Sequence, residues 1–176
     1  MLLINRLEQS QHHNSPFNPR SFPLAVITDG VQSPANLGGL LRLMEAFGVP
    51  ELYCIAADLN LKSPRLKRTA RNAEQEVKIK TFDSVSQAIT TLKEDHPDSQ
   101  LIALEITSDS KPLGELRIES ADHISLILGS EVQGISEELL AEVQGSFHIE
   151  MFGRNSSMNV TQAAAIALYS IVQQLL

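Results

Sequence analysis

The chain has 176 residues, of which 43% are hydrophobic and 20% charged, and its formal net charge is −7. This length suffices for one well-buried core and is short for two, and the composition is ordinary for a soluble globular domain. No apolar run approaches the roughly 20 residues of a membrane span, the apolar start at residues 1–4 is too short for a signal-peptide core, and the acidic charge excludes a uniformly basic nucleic-acid binder.

Cysteine and histidine usage points away from redox and metal chemistry. A single cysteine, Cys54, excludes an intramolecular disulfide and fits a reducing cytoplasm. It lies in the apolar run LYCIAA, which predicts a buried, inert thiol rather than a nucleophile. The pair His12-His13 stands alone in a polar segment, so we expect no metal site there.

Short apolar runs alternate with helical patterns from residue 24 onward, after a polar, proline-containing arm at 1–23. We therefore predict one α/β domain over 24–176, with a mainly parallel sheet and helices on both faces. The predicted strands are Leu24–Thr28, Leu52–Ala56, Val77–Phe82, Leu101–Ile106, Ile124–Leu128 and Phe147–Ile149. The predicted helices are 37–47, 65–73, 84–94, 136–143 and 159–175.

The first segment with candidate functional residues is TDGVQSPANLGGLLRLMEAFG at 28–48. Asn36 stands where the N-cap of the first helix is expected, just before Leu37. Arg42 lies about 140° around the helix from Leu37, off the apolar stripe. It could point into a cleft at the C-terminal edge of the sheet, where open α/β sheets bind ligands, or be a plain exposed arginine paired with Glu45.

Two further segments follow at 126–136 (LILGSEVQGIS) and 149–169 (IEMFGRNSSMNVTQAAAIALY). The first reads as a buried strand that enters a turn, where Gly129 and Gly134 let the backbone come close to a ligand. Glu131, between them, either caps the next helix or contributes to a site. In the second, Asn159 is the predicted N-cap of the last helix, with Gln162 three residues on as in a capping box.

Basic residues concentrate in one stretch of this acidic chain. Seven of the 14 Lys and Arg residues lie between 62 and 80, opposed there only by Glu74 and Glu76. Such a patch can bind phosphates, and the alternative is a solvated helix face. The candidates for RNA contacts are Arg65, Lys67, Arg68 and Arg71.

The three segments, in this order, resemble the signature motifs of the SpoU (TrmH-like) ribose 2′-O-methyltransferases of RNA, a branch of the SPOUT superfamily, over residues 24–172. The resemblance implies a C-terminal trefoil knot, S-adenosylmethionine as the cofactor, and a homodimer whose active site takes groups from both subunits. One departure is visible, because Glu150 stands where the family has proline in I-P-M.

The resemblance also assigns roles to single residues. The implied catalytic residues are Arg42, Asn36, Glu131, Ser157 and Asn159. The implied cofactor-binding residues are Leu104, Gly129, Ile149, Met151, Ser157 and Met158. Arg42 would receive or steer the proton of the attacking hydroxyl, but an arginine is a poor base at neutral pH, so it could instead stabilise negative charge.

The expected substrate is tRNA rather than ribosomal RNA, since no added RNA-binding domain precedes residue 24, with a D-loop guanosine as first choice and the wobble nucleotide as second. One alternative is a SPOUT-fold protein that binds RNA or cofactor without chemistry, favoured by the net charge and Glu150. Another is an ordinary nucleotide-binding α/β domain, which would need a G-x-G-x-x-G run that Gly30 and Gly38-Gly39 do not form.

Overall fold

The computed structural model describes residues 18–56, 59–118, 123–154 and 157–176. Its strands are β1 (Leu24–Asp29), β2 (Glu51–Ile55), β3 (Lys78–Phe82), β4 (Ser99–Leu104), β5 (Lys111–Pro112), β6 (His123–Gly129) and β7 (Gly145–His148). Its α-helices are α1 (Pro34–Ala46), α2 (Pro64–Ala70), α3 (Val85–Asp95), α4 (Glu137–Leu140) and α5 (Val160–Leu175). No helix among these residues is long and apolar enough to cross a bilayer.

The strands form one sheet in the order β3-β2-β1-β6-β4-β7-β5, and the paired strands are parallel. Strands β1 and β6 are buried along their whole length except at Gly129, because helices cover both faces of the sheet. The predicted α/β fold with a mainly parallel sheet is therefore confirmed.

Two apolar cores lie on the two faces of the sheet. One contains the apolar sides of α1, α2 and α5, and the other contains those of α3 and α4. Helices α1 and α2 cross closely at Gly38, where an added Cβ would lie 2.6 Å from the carbonyl oxygen of Leu66. Cys54 is fully buried, and burial raises the pKa of its thiol to about 11, as an inert core cysteine requires.

Several predicted boundaries were wrong, each for a local reason. The helix predicted at 65–73 ends at Ala70, because Arg71 and Asn72 adopt left-handed backbone conformations, and a separate 3₁₀ turn follows. The helix predicted at 136–143 is the single turn α4. Strand β4 ends at Leu104, so Glu105 and Ile106 lie beyond it, and the two-residue β5 was missed.

The arm predicted at 1–23 falls mostly outside the described residues, and so does the pair His12-His13. The described end of this segment is already part of the fold. Phe22 is buried in the core beside α1, and its backbone N–H donates to the carbonyl of Gly48 at 2.9 Å.

Chain order changes direction in the middle of the sheet. β1 lies between β2, which follows it in the chain, and β6, which comes much later. Such a reversal opens a crevice at the carboxyl ends of the strands, where ligands of open α/β sheets bind. All three segments singled out in the sequence meet at this edge.

Candidate active site at the carboxyl edge of the sheet

A cleft of about 240 Å³ opens beside the carboxyl ends of β4, β6 and β7. All six predicted cofactor-binding residues line it, namely Leu104, Gly129, Ile149, Met151, Ser157 and Met158. Leu128, Val160 and Ala163 add apolar wall, while polar groups come from Glu105, Ser130, Glu131 and His148. The structure brings these residues together, and their role in cofactor binding stays a prediction.

The turn after β6 forms one wall of the cleft. Ser130 and Gly134 exchange two backbone hydrogen bonds, of 2.9 and 3.2 Å, which close the turn around Glu131. At Gly129 an added Cβ would lie 2.3 Å from the carbonyl carbon of Gly134, so a side chain has no room there. The N–H of Ser136 then donates to Asp29 Oδ2 at 2.8 Å and ties the turn to the end of β1.

Three of the five predicted catalytic residues form one hydrogen-bonded cluster. The side-chain amide of Asn36 donates to Glu131 Oε1, and the side-chain amide of Asn159 donates to Asn36 Oδ1 at 3.0 Å. Glu131 therefore accepts from Asn36 and does not cap α4, whose N-cap is Ser136. The cluster joins residues from all three sequence segments.

The prediction that Asn36 caps α1 was wrong. Helix α1 begins three residues earlier, with Ser33 as N-cap and Pro34 in its first turn. Proline suits this position because a first-turn residue has no intrahelical acceptor for its N–H. Ser33 Oγ accepts from the backbone N–H of Asn36, so the Asn36 side chain is left available for Glu131 and Asn159.

Asn159 caps α5 as predicted. Its Oδ1 accepts from the N–H of Thr161 at 2.9 Å, while its amide nitrogen points to Asn36. One side chain thus fixes the start of the last helix and orients a second candidate catalytic residue. The buried side of α5 is formed by Val160, Ala164, Ala167, Leu168, Ile171 and Val172.

The remaining two candidates lie apart from this cluster. Ser157 is exposed and lines the cleft. Arg42 is exposed on α1 and is not part of the cleft wall, and its side chain makes no hydrogen bond or ion pair with Glu45 or with any other residue that the structure describes. Six residues along the helix, or about 9 Å of axial rise, separate it from Asn36, and it is not among the described residues that line the cleft.

Two ionisable residues of the cleft wall, Glu105 and His148, were missed by the sequence reasoning. Glu105 follows β4 directly, and its carboxylate accepts from the backbone N–H groups of Ile106 at 2.9 Å and Ile135 at 3.2 Å. His148 ends β7, and its Nδ1 lies 3.0 Å from Ser110 Oγ. The sequence signal that could have indicated Glu105 is its place as a single acidic residue directly after an apolar strand.

The basic stretch divides into two parts. The four predicted RNA contacts, Arg65, Lys67, Arg68 and Arg71, are exposed on and just after α2. Lys78 and Lys80 belong instead to β3, where they pair with Glu51 at 3.0 Å and Asp95 at 2.5 Å. They are therefore engaged by protein carboxylates and lie at the opposite edge of the sheet from the cleft.

That opposite edge holds a polar cluster at the amino ends of the strands. Burial raises the pKa of Glu51, but hydrogen bonds from His96 and Lys78 outweigh this and hold it at about 2. Tyr53 donates to Asp95 at 2.7 Å, and burial beside two carboxylates raises the pKa of its hydroxyl far above the usual value. His96 stacks on His123 at 3.7 Å, and burial together with this neighbour lowers the pKa of His123 to about 4.

No group of three or more His, Cys, Asp or Glu side chains suited to a metal ion occurs in the described parts of the chain. The candidate site is therefore a cleft with apolar walls, two carboxylates and a hydrogen-bonded amide cluster at its rim. Such a cleft can bind a mixed apolar and cationic molecule and present it to a second substrate at the rim.

Comparison with known proteins matches this arrangement. The family model described as SpoU rRNA Methylase family matches residues 23–169. The tRNA (guanosine(18)-2′-O)-methyltransferase of Thermus thermophilus is 28% identical over 86% of this chain and 75% of its own length. The Escherichia coli protein of the same name is 26% identical over 86% of this chain and 63% of its own length.

Solved structures give the same result. The TrmH/SpoU tRNA modifying enzyme of A. aeolicus superposes with a TM-score of 0.76 and 26% identity, over 88% of this chain and 76% of that one. A structure described by its study of 2-OH methylation of C/U34 on tRNA superposes with a TM-score of 0.73 and 28% identity, over 88% of this chain and 98% of that one. The chain belongs to the SpoU rRNA methylase family.

Proposed function

We propose that this protein transfers a methyl group from S-adenosylmethionine to the ribose 2′-hydroxyl of a tRNA. The observation that supports this most directly is the Glu131–Asn36–Asn159 cluster, because it assembles three separate motif residues at the rim of the cleft that holds the predicted cofactor residues. Relatives named as tRNA 2′-O-methyltransferases from several organisms support the same activity.

The cleft suits S-adenosylmethionine on its own chemistry. Leu104, Leu128 and Ile149 offer apolar walls for an adenine ring, and Glu105 and Glu131 offer negative charge to a cation. When bound, the cofactor supplies an electrophilic methyl group, so the protein has to orient and activate a poor nucleophile. We include the trefoil knot of the SPOUT superfamily in the proposal, with α5 following the segment that contributes Ile149, Met151, Ser157 and Met158 to the cleft.

The amide cluster would orient the ribose. The side chain of Asn36 is held in one orientation, because its amide donates to Glu131 and its oxygen accepts from Asn159. Polar groups that are already oriented need little rearrangement when the reaction takes place. Ser157, exposed in the cleft wall, is placed to contact a group that enters from the rim. Glu150, which stands where the family has proline, is exposed, so its carboxylate needs no buried partner.

Arg42 would act in a second copy of the chain. It is exposed and outside its own cleft, which fits a homodimer in which each α1 supplies its arginine to the partner's site. Exposed apolar residues on α5, Ile166 and Tyr169, are suited to such a contact. Since the guanidinium stays protonated at neutral pH, Arg42 would hold a phosphate and stabilise negative charge on the attacking oxygen, not remove its proton.

The position within tRNA has two candidates. Curated relatives from several organisms act, by name, on guanosine 18, whereas the structure concerned with C/U34 is covered over 98% of its length by this chain. Mapping of 2′-O-methyl groups after reaction with unmodified tRNA separates them. Methylation at position 18 or at position 34 selects one, and labelling of ribosomal RNA alone would contradict a tRNA substrate.

A further inference from the structure

The carboxylate of Glu105 lines the cleft, and it forms no ion pair with any lysine or arginine that the structure describes. Its two oxygens accept from the backbone N–H groups of Ile106 and Ile135, which are uncharged donors. The ionisable residues lining the cleft are Glu105, Glu131 and His148, and neither lysine nor arginine occurs among the described lining residues. The cleft therefore presents negative potential to whatever binds in it.

The position of this carboxylate is fixed by the backbone. Gly134 has a φ of +67°, and an added Cβ there would lie 2.7 Å from Glu105 Oε2. Gly134, which has no side chain, is therefore the residue of the turn after β6 that packs against the Glu105 carboxylate. A charge held in place in a half-buried cleft interacts more strongly with a ligand than a mobile surface charge does.

We propose that Glu105 is a specificity-determining residue that makes the cleft bind S-adenosylmethionine more tightly than S-adenosylhomocysteine, the product left after methyl transfer. This inference rests on the proposed function. The two molecules share adenosine and the amino acid, so contacts to those parts bind both equally. They differ by the methyl group and the positive charge on sulfur, and a fixed negative charge near the ligand distinguishes them.

Glu105 is better placed for this role than Glu131. Glu131 is exposed at the rim, where water screens its charge, and it accepts from the Asn36 amide as part of the catalytic cluster. Glu105 is half-buried, its backbone N–H donates to the carbonyl of Phe147 on β7 at 2.9 Å, and its carboxylate accepts from the N–H of Ile135 after the turn that follows β6. Release of the neutral product would follow, because the attraction weakens once the sulfur has lost its methyl group and its charge.

The test is calorimetric titration of the full chain with S-adenosylmethionine and, separately, S-adenosylhomocysteine. We expect the wild type to prefer S-adenosylmethionine, and Glu105→Gln to weaken its binding about tenfold while S-adenosylhomocysteine changes less than about threefold. Glu105→Asp keeps the charge and should keep the preference. Glu94→Gln removes an exposed charge from α3, far from the cleft, and should change neither Kd.

The ratio of the two dissociation constants distinguishes a loss of charge at residue 105 from a general distortion of the cleft. Gln at 105 turns one oxygen into a donor that faces a backbone N–H, so a distorted cleft would weaken both ligands equally. An equal loss for both, or no loss, overturns the inference while the proposed function stands. Failure of the wild type to bind either molecule contradicts the proposed function itself, and this inference with it.

Discussion

The side-chain amide of Asn159 donates to Asn36 Oδ1 at 3.0 Å and so joins the first turn of α1 to the N-cap of α5, 123 positions later in the chain. The same side chain accepts from the N–H of Thr161. Asn159 therefore has a structural task, which needs an acceptor, and an orienting task, which needs a donor. Substitutions can separate the two.

Asn159→Asp should leave stability nearly unchanged and lower methyl transfer by at least about tenfold. Aspartate is as good an N-cap as asparagine, and its charge suits a helix N-terminus, but it cannot donate to Asn36. Asn159→Ala should lower activity similarly and also cost about 1 kcal/mol of stability through the lost cap. Thermal unfolding and single-turnover transfer measure the two effects. Full activity in Asn159→Asp would show that the bond to Asn36 has no catalytic part.

Gly129→Ala should abolish cofactor binding while the protein stays folded. A Cβ at this position meets the backbone of Gly134 at 2.3 to 2.6 Å, and backbone atoms cannot move aside without opening the turn. Gly114→Ala is the matched control, because an added Cβ there meets no atom within 4 Å and Gly114 does not line the cleft. Titration with S-adenosylmethionine checks both variants, and unchanged affinity in Gly129→Ala would rule out this turn as a wall of the cofactor site.

Stability should fall between pH 6.5 and pH 4 because of His123. Burial and the stacked His96 lower its pKa to about 4, whereas the unfolded chain titrates near 6.5. The unfolded state binds more protons in that window, so the contribution is complete above pH 6.5 and is lost as the pH falls towards 4. The loss should approach about 3 kcal/mol.

Urea unfolding at pH 7, 5.5 and 4.5 measures this pH dependence. His123→Gln should flatten the change in the free energy of unfolding over that range, because glutamine does not titrate. Glu51, with its pKa held at about 2, loses its contribution only as the pH falls from about 4.5 towards 2, below most of this window. An equally steep fall in the variant would assign the effect to other groups.

Replacing Arg65, Lys67, Arg68 and Arg71 together by alanine should weaken tRNA binding about tenfold to hundredfold and reduce its dependence on salt. Cofactor affinity should not change, since these residues are exposed on and after α2 and none lines the cleft. The control removes the same number of positive charges elsewhere, at Arg20, Lys93, Lys111 and Arg117. Equal losses in both variants would point to net charge instead of a local RNA contact.

The sheet and its helices could be predicted because apolar runs and helical patterns are local signals that burial on both faces enforces. The start of α1 was predicted wrongly for a local reason as well. Ser33-Pro34 is a strong N-cap signal, but Asn36, three residues later, is also of a residue type that commonly caps helices. The meeting of Asn36, Glu131 and Asn159 could be expected only from the family resemblance, because no local pattern relates side chains that far apart in the chain.

Other parts of the site depend on tertiary structure that the sequence does not display. Glu105 stands within a predicted strand, and only the end of β4 at Leu104 places its carboxylate against the turn at Gly134. Lys78 and Lys80 appear in the sequence as part of a basic stretch. The sheet register brings Lys78 to Glu51 on β2, and the packing of α3 brings Asp95 to Lys80.

The most direct test of the proposed activity is transfer of labelled methyl from S-adenosylmethionine to unmodified tRNA and, separately, to ribosomal RNA, with wild type, Arg42→Ala and Arg42→Lys. We predict alkali-resistant label in tRNA with the wild type, a loss of at least about a hundredfold in Arg42→Ala, and partial recovery in Arg42→Lys, which keeps the charge. No label in either RNA, with the cofactor shown to bind, would contradict the proposed activity and favour a SPOUT-fold protein that binds without chemistry.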